Sequence, residues 1–535
     1  MKFPNKLSPP LQHLLLIAGA TLVAALAAAL LLPAPDSLAV DARKGLPFYD
    51  LPFGDNPFAP GELRTTDRTM IDWRGVPSAR SCGECHKQEF MEWVTSVHAV
   101  SDEDMIYATT VRENTAASKA AAAHGAAKGR WCESCHNPLG TLSGAVTDFP
   151  SVPRTETMEE GVTCVVCHTA VHAEPLAGNG ALTSKLNQIF RHLHPALIMA
   201  APSRHARDMQ ARRDAPLMGS SALCGSCHTE IRPTTVNGQE PMNFQDTYDE
   251  WRRSPWAEQG VQCQDCHMAR DPAAAVAALK RGEQRPRGVS HRLSGNNYLL
   301  ANPDLPGNLM TTLRGGPPGG LNRMFSRQEY ADEQRRTHQQ IVALLREAAE
   351  LRLDNGLDRD NRPRLSVTVA NVGAGHALPT GPLDHRYMWL EVEITDERGR
   401  KVFHSGAFDG RKGEEDPQAV RWVKEMYDAE GRRDLRHLLF DTERLHYPRK
   451  PIPAGASQRI DYALPALPAG RYSVRTRLWY RLAFQDILKN FESQGPGKVD
   501  VIIPPLAIAE AGHDFVVPAR SAPGAAKRGA GKEKP

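Results

Sequence analysis

Apolar residues fall along this chain in four regimes, and each regime predicts a different kind of element. From Leu14 to Leu32 nineteen residues carry no charge and only Thr21 is polar. That length suits a membrane-spanning helix better than the shorter apolar core of a cleaved signal, although Ser37-Leu38-Ala39 offers a cleavage site. Between Cys82 and His267 apolar runs are sparse, and nothing in that stretch calls for a β-sheet. At Ser326 a Ser-x-x-Glu capping box opens a helix whose apolar face is Ile341, Leu344, Leu345 and Ala348, and Asn355-Gly356 is expected to end it.

Beyond that point the period drops to two. Leu365, Val367 and Val369 alternate with polar residues; so do Leu390, Val392 and Ile394; so do Ile460, Tyr462 and Leu464, and Val474, Thr476, Leu478 and Tyr480. The turns DERGR (396–400) and LPAGR (467–471) punctuate them, which predicts an antiparallel β-sandwich of immunoglobulin-like shape. The expected class is α+β. An N-terminal anchor or signal segment (1–39) precedes an extended lead-in (40–80), and a mostly helical and irregular region follows (81–300). A connector with the amphipathic helix (301–360) leads to the sandwich (361–510) and a disordered basic tail (511–535).

Cysteine usage explains the apolar-poor region. All ten cysteines lie in five pentads: CGECH (82–86), CESCH (132–136), CVVCH (164–168), CGSCH (224–228) and CQDCH (263–267). Paired Cys-x-x-Cys units also build zinc ribbons, but five pairs each followed by histidine, with no cysteine left over, point to covalent haem c. Cys82 and Cys85, Cys132 and Cys135, Cys164 and Cys167, Cys224 and Cys227, and Cys263 and Cys266 would each hold one porphyrin, five in all. His86, His136, His168, His228 and His267 would be the proximal iron ligands. The porphyrins then supply the apolar core that the side chains lack.

Attachment of haem c requires export. Lys2 and Lys6 precede the apolar run while Asp36 and Asp41 follow it, which orients the bulk of the chain outward. The expected location is the periplasmic side of the inner membrane, or the periplasm or cell surface. A net charge of +3 on 127 charged residues selects no partner, and no basic face with interleaved aromatics suggests nucleic acid.

Fifteen histidines remain for the distal positions. His172 follows His168 by four residues; on a continuous helix the two share a face, so His172 serves a neighbouring haem or lies on the surface. If residues 86–98 are helical, His86 and His98 stand about 18 Å apart, so one iron cannot hold both. His98 is then the ligand of a different haem or a polar helix residue beside Trp93. His124, His205 and His291 are further distal candidates. His376, in the loop NVGAGHALPTG, is either a turn residue or a ligand donated by the β region. At most one of His192 and His194 is expected to ligate, and His338 and His385 are weaker candidates. His404, His437, His446 and His513 read as ordinary surface residues, and Met268 cannot reach the far face.

The run EWVTSVHA after the first pentad resembles multihaem cytochromes of the hydroxylamine-oxidoreductase and nitrification tetrahaem-cytochrome superfamily. So do TYDEWRRSPWAEQGVQCQDCHM and the R-x-x-S-H-R-x-x-G of 287–295. The resemblance covers about residues 80–295 and implies closely stacked porphyrins, with His98 ligating a neighbouring haem. The second W-x-x-S, Trp251 to Ser254, lacks the following histidine, so that correspondence fails. The segment from NVGAGHALPTG onward is similar to a β domain appended to other multihaem cytochromes. Two functions are compatible with this pattern. The first is a membrane-tethered conduit of bis-histidine haems between redox proteins, or from a quinol-linked donor. The second is an oxidoreductase acting on a small nitrogen or sulfur compound at one five-coordinate haem. Every pentad is plain CxxCH and no tyrosine is evidently placed to cross-link a haem, which favours the conduit.

Overall fold

The computed structural model describes residues from Phe58 to Ala519, apart from 60, 72–75, 103, 105, 108–109, 112–126, 145–159, 190–192, 233–241, 285–287, 305–323, 358–362 and 487–501. The apolar run at 14–32, His124, His192 and most of the basic tail lie outside the described residues. Among those described, no helix is long and apolar enough to cross a membrane.

Each cysteine pentad begins or completes a helical turn: α1 (Ala79–Gly83), α3 (Ala127–His136), α4 (Cys164–His168), α6 (Ser221–Gly225) and α8 (Cys263–His267). Positions three apart on a helix share a face, so a helical turn aims both thiols the same way. Ser220 caps α6 and a Gln262/Asp265 capping box opens α8, fixing where those turns start. Between α1 and α3 lies α2 (Lys87–Val94), which buries Phe90, Trp93 and Val94 at helical spacing. His98 sits in a separate 3₁₀ turn, Val97–Val100, so the continuous helix expected over 86–98 is broken. Thr95 and Ser96 make the break: the Thr95 hydroxyl is turned to Thr337, 3.0 Å away, and Ser96 is extended.

Small sheets do occur here, contrary to expectation. β1 (Arg64–Thr65), β2 (Ala170–Ala173) and β3 (Leu182–Ser184) form one, and β4 (Glu230–Arg232) pairs with β5 (Met242–Gln245). They are two to four residues long, too short to leave a periodic signature. The lead-in is likewise not a bare extension, since Phe58, Leu63, Met70 and Ile71 pack with Leu139, Leu142, Val165 and Val166. Helices α5 (Pro202–Arg213) and α7 (Thr247–Arg252) also lie in this region, and neither buries a residue in protein alone.

The long helix α9 (Arg327–Ala348) begins at the expected capping box. Ser326 Oγ accepts from the Glu329 N–H at 3.1 Å, and Glu329 accepts from the Ser326 N–H at 2.8 Å. It ends seven residues early. At Ala349 the chain passes straight into β6 (Ala349–Leu357), so Asn355-Gly356 lie in a strand. Leu351 and Leu353 already alternate with polar residues there, and pairing with β7 (Pro363–Asn371) places Leu353 opposite Val367.

Two sheets share one core. The larger orders β10 (Arg421–Trp422), β8 (Tyr387–Asp396), β15 (Gly470–Arg481) and β16 (Leu506–Val517), with β9 (Lys401–Ser405) also on β8. The smaller orders β14 (Ser457–Ala463), β7 and β6. Leu365, Val367 and Val369 of one meet Leu390, Val392, Ile394, Val474 and Leu478 of the other, with Ile341, Leu345 and Ala348 of α9. β16 extends past residue 510 to Val517, held along its length by antiparallel pairing with β15. The tail therefore begins later than its composition suggests. A further short sheet, β11 (Glu425–Tyr427) with β12 (Arg433–Asp434) and β13 (Arg444–His446), belongs to the same strand-rich region.

Candidate haem sites

The fold gathers the pentads. The Cys82 thiol lies within hydrogen-bonding reach of Cys164, Cys135 of Cys227, and Cys224 of Cys263. Cys167 and Cys227 interact electrostatically. The first pentad thus adjoins the third, and the fourth adjoins the second, third and fifth.

Four proximal histidines face a second imidazole. His86 and His205 have ring centroids 6.4 Å apart, His98 and His228 6.3 Å, His168 and His291 6.3 Å, and His267 and His376 6.2 Å. With metal–nitrogen bonds of about 2.0–2.1 Å and a ring centre roughly 1.1 Å behind the ligating atom, two imidazoles across one metal have centroids about 6.2–6.4 Å apart. Protein side chains in direct contact would close this gap, so the residues fit an inserted iron. His98 thus faces the fourth pentad's histidine while His86 faces His205 of α5. His376 reaches His267 from the β region.

Backbone carbonyls orient several of these rings. His136 Nδ1 is 2.8 Å from Ser101 O, His267 Nδ1 is 2.6 Å from Ser294 O, and His376 Nδ1 is 2.9 Å from Ala377 O, which leaves Nε2 for a metal. Burial pushes His98, His136, His168 and His376 down to about 4 and His228 to about 3, so each is neutral, the ligating form.

The loop carrying His291 is fixed by a buried ion cluster. Arg292 Nε lies 2.6 Å from Glu333 of α9 and its Nη1 3.4 Å from Glu92 of α2, while Glu92 also accepts from the His291 N–H at 2.7 Å. This gives the S-H-R of 290–292 a physical reason: the arginine clamps the loop so that the histidine faces His168.

His136 is different. Its ring stacks on Tyr107 at 3.7 Å and 9°, and among the described residues no histidine faces it as the other four are faced. The β region closes over this pentad instead. Phe440 packs on Trp131 at 5.0 Å, and Arg232 of β4 donates to Leu439 O and Thr442 O at 3.2 and 2.5 Å. His437 and Arg386 are near enough to act electrostatically on His136. His437, expected on the surface, is half-buried: its Nδ1 lies 2.6 Å from Asp384 Oδ2, and His385 Nε2 lies 3.5 Å from the same oxygen. Burial alone would raise the Asp384 carboxyl, yet His437, His385 and Lys424 together hold it far below the usual carboxylate range. Burial opposes a charge on His437, but Asp384 outweighs it and raises that imidazole.

Sequence reading misses this group because nothing in the spacing of Asp384-His385 and His437 links them across fifty-three positions. Of the other histidines, His172 is on β2 and exposed, 3.3 Å from Glu174. His404 is partly buried against Glu391, and His194 caps a helix by accepting from the Ala196 N–H at 3.3 Å.

The family described as cytochrome c554 and c-prime matches residues 81–169, which contain the first three pentads. The penta-heme cytochrome c552 from Thermochromatium tepidum is similar in structure at 18% identity and a TM-score of 0.48, over 82% of this chain and 99% of that one. No curated protein matches. The match over 81–169 supports a multihaem c-type cytochrome with covalently bound haem c, and electron transfer as its general role.

Proposed function

We propose that the chain carries electrons through five haems, four of them bis-histidine: His86/His205, His168/His291, His228/His98 and His267/His376. The four imidazole pairs spaced at 6.2–6.4 Å carry this reading. Pentad adjacency supports a path from the first haem through the third and fourth to the fifth, with the second joined at the fourth. The segment at 14–32 tethers it to the outer face of the inner membrane, where redox proteins or a quinol-linked donor supply and remove electrons. The strand-rich region, read as an immunoglobulin-like sandwich, donates His376 and shields the second haem.

A second reading follows from His136. Tyr107 covers the face of its imidazole and no described histidine opposes it, so its haem either takes a histidine from outside the described residues, His124 first, or stays open. An open iron beside Arg386 and His437 makes the protein an oxidoreductase for a small nitrogen or sulfur compound, as its resemblance to the hydroxylamine-oxidoreductase superfamily suggests.

Electron paramagnetic resonance of the oxidised protein tests both. At least four low-spin bis-histidine haems are expected, and fewer would sink the conduit. A high-spin fifth signal that shifts with cyanide or nitrite supports the open site. If instead all five are low-spin and His124→Ala creates a high-spin haem, the second reading fails. His98→Ala should make the fourth pentad's haem high-spin and leave the His86 haem unchanged.

A further inference from the structure

Asp384, His385 and His437 are the one group among the described residues in which a carboxylate and two imidazoles bring their ligand atoms within 4.8 Å of one another. We propose that they bind one divalent first-row transition ion, separate from the haem irons. This goes beyond the proposed function and holds whether or not the second haem is open.

The donor set is the first argument. One carboxylate oxygen and two imidazole nitrogens are the usual protein ligands of Zn²⁺ and of the neighbouring divalent ions. Two donors on one tetrahedral ion at about 2.0–2.1 Å stand about 3.3–3.4 Å apart. His385 Nε2 and Asp384 Oδ2 are 3.5 Å apart, close to that span and too far for a good hydrogen bond. His437 Nδ1 is nearer, at 2.6 Å, the contact of a proton shared between the two groups, which an ion would displace.

An Asp–His ion pair alone would account for His437 but not for His385. The latter is only 6% exposed, and its Nδ1 is buried without a hydrogen-bond partner. No hydrogen bond anchors this ring, and a metal bond at Nε2, the nitrogen turned to Asp384, would supply the anchor.

The surroundings hold the ligands in place. Lys424 Nζ lies 3.9 Å from Asp384 Oδ1 and also donates to Phe244 O. Both imidazoles make their nearest approach to the other oxygen, Oδ2, which is the one placed for the ion. His437 has a left-handed backbone, φ 61°, and its loop is pinned where Leu438 N–H donates to Asp434 at 2.6 Å. A strained non-glycine residue held by its neighbours is a mark of a built site.

The test uses the intact holoprotein, dialysed against EDTA and titrated with Zn²⁺ by calorimetry at pH 7.5. One equivalent per chain is expected, with affinity weakened at least tenfold in His437→Ala and in Asp384→Asn and unchanged in the exposed control His446→Ala. His385→Gln removes a ligand that makes no hydrogen bond, so its folding is least at risk; it should lose the same equivalent with haem spectra intact. No binding to the wild type, or binding that survives His385→Gln, overturns the proposal.

Discussion

The haem-bearing region and the strand region are stabilised by different means. In the strand region protein packs on protein: Leu390, Val392, Ile394 and Val367 are wholly buried between two sheets. In the haem region, α5, α7 and α8 bury no residue at all, although α5 carries His205 and α8 carries the fifth pentad. Such helices have too little apolar contact to offset the entropy of ordering them. The porphyrins are the missing half of that core. Sparse hydrophobicity can therefore mark a region whose core is a cofactor rather than one that is disordered.

Three experiments would break or sharpen this contrast. The largest effect is expected from preventing haem attachment altogether by expression without the maturation apparatus. Hydrogen exchange should then show loss of protection throughout 79–295 while β7, β8 and β15 stay protected. Equal loss in both regions would mean that the strand region depends on the haems.

Next, a cavity and an orphaned charge can be compared. Leu390→Ala should destabilise the sandwich by about 2–5 kcal/mol, and leave the haem spectra unchanged. Arg292→Met leaves Glu92 buried without its cation, while Glu333 keeps Arg336 at 2.8 Å, and should cost about 3–5 kcal/mol with a perturbed His168 haem spectrum. Chemical denaturation followed separately by tryptophan fluorescence and by haem absorbance distinguishes them.

The smallest effect concerns the seam between the regions. Glu250 of α7 accepts from the Ala377 N–H at 3.3 Å and from Thr380 at 2.5 Å, beside His376. Burial raises its carboxyl to about 7, against those hydrogen bonds. The folded state therefore favours the protonated form. Its contribution is fully present below pH 4.5 and is lost as pH rises through about 7. Between pH 5 and 8 the thermal midpoint should fall by several degrees on this account, the linkage being worth about 2–3 kcal/mol. Glu250→Gln should flatten that slope; an unchanged slope would exclude Glu250 as its source.

What could be read directly from the residues follows from local chemistry. The pentads are legible because two thioethers and an imidazole must come from adjacent positions. The Ser326–Glu329 box is legible because a helix start satisfies its own N–H groups. The strands after 363 show because each buries alternate residues. The end of α9 is not legible because Asn355-Gly356 resembles a helix stop, while the partner strand that draws Ala349–Leu357 into a sheet lies further along the chain.

Tertiary structure alone decides which histidines meet. His98 and His228 are 130 positions apart, and His267 and His376 are 109 apart, yet each pair closes to about the same separation. An iron's second ligand need only approach through space, so no spacing rule marks it. His437 shows the same point in reverse: exposed by composition, it is half-buried because the β region folds over the second pentad and turns it onto Asp384.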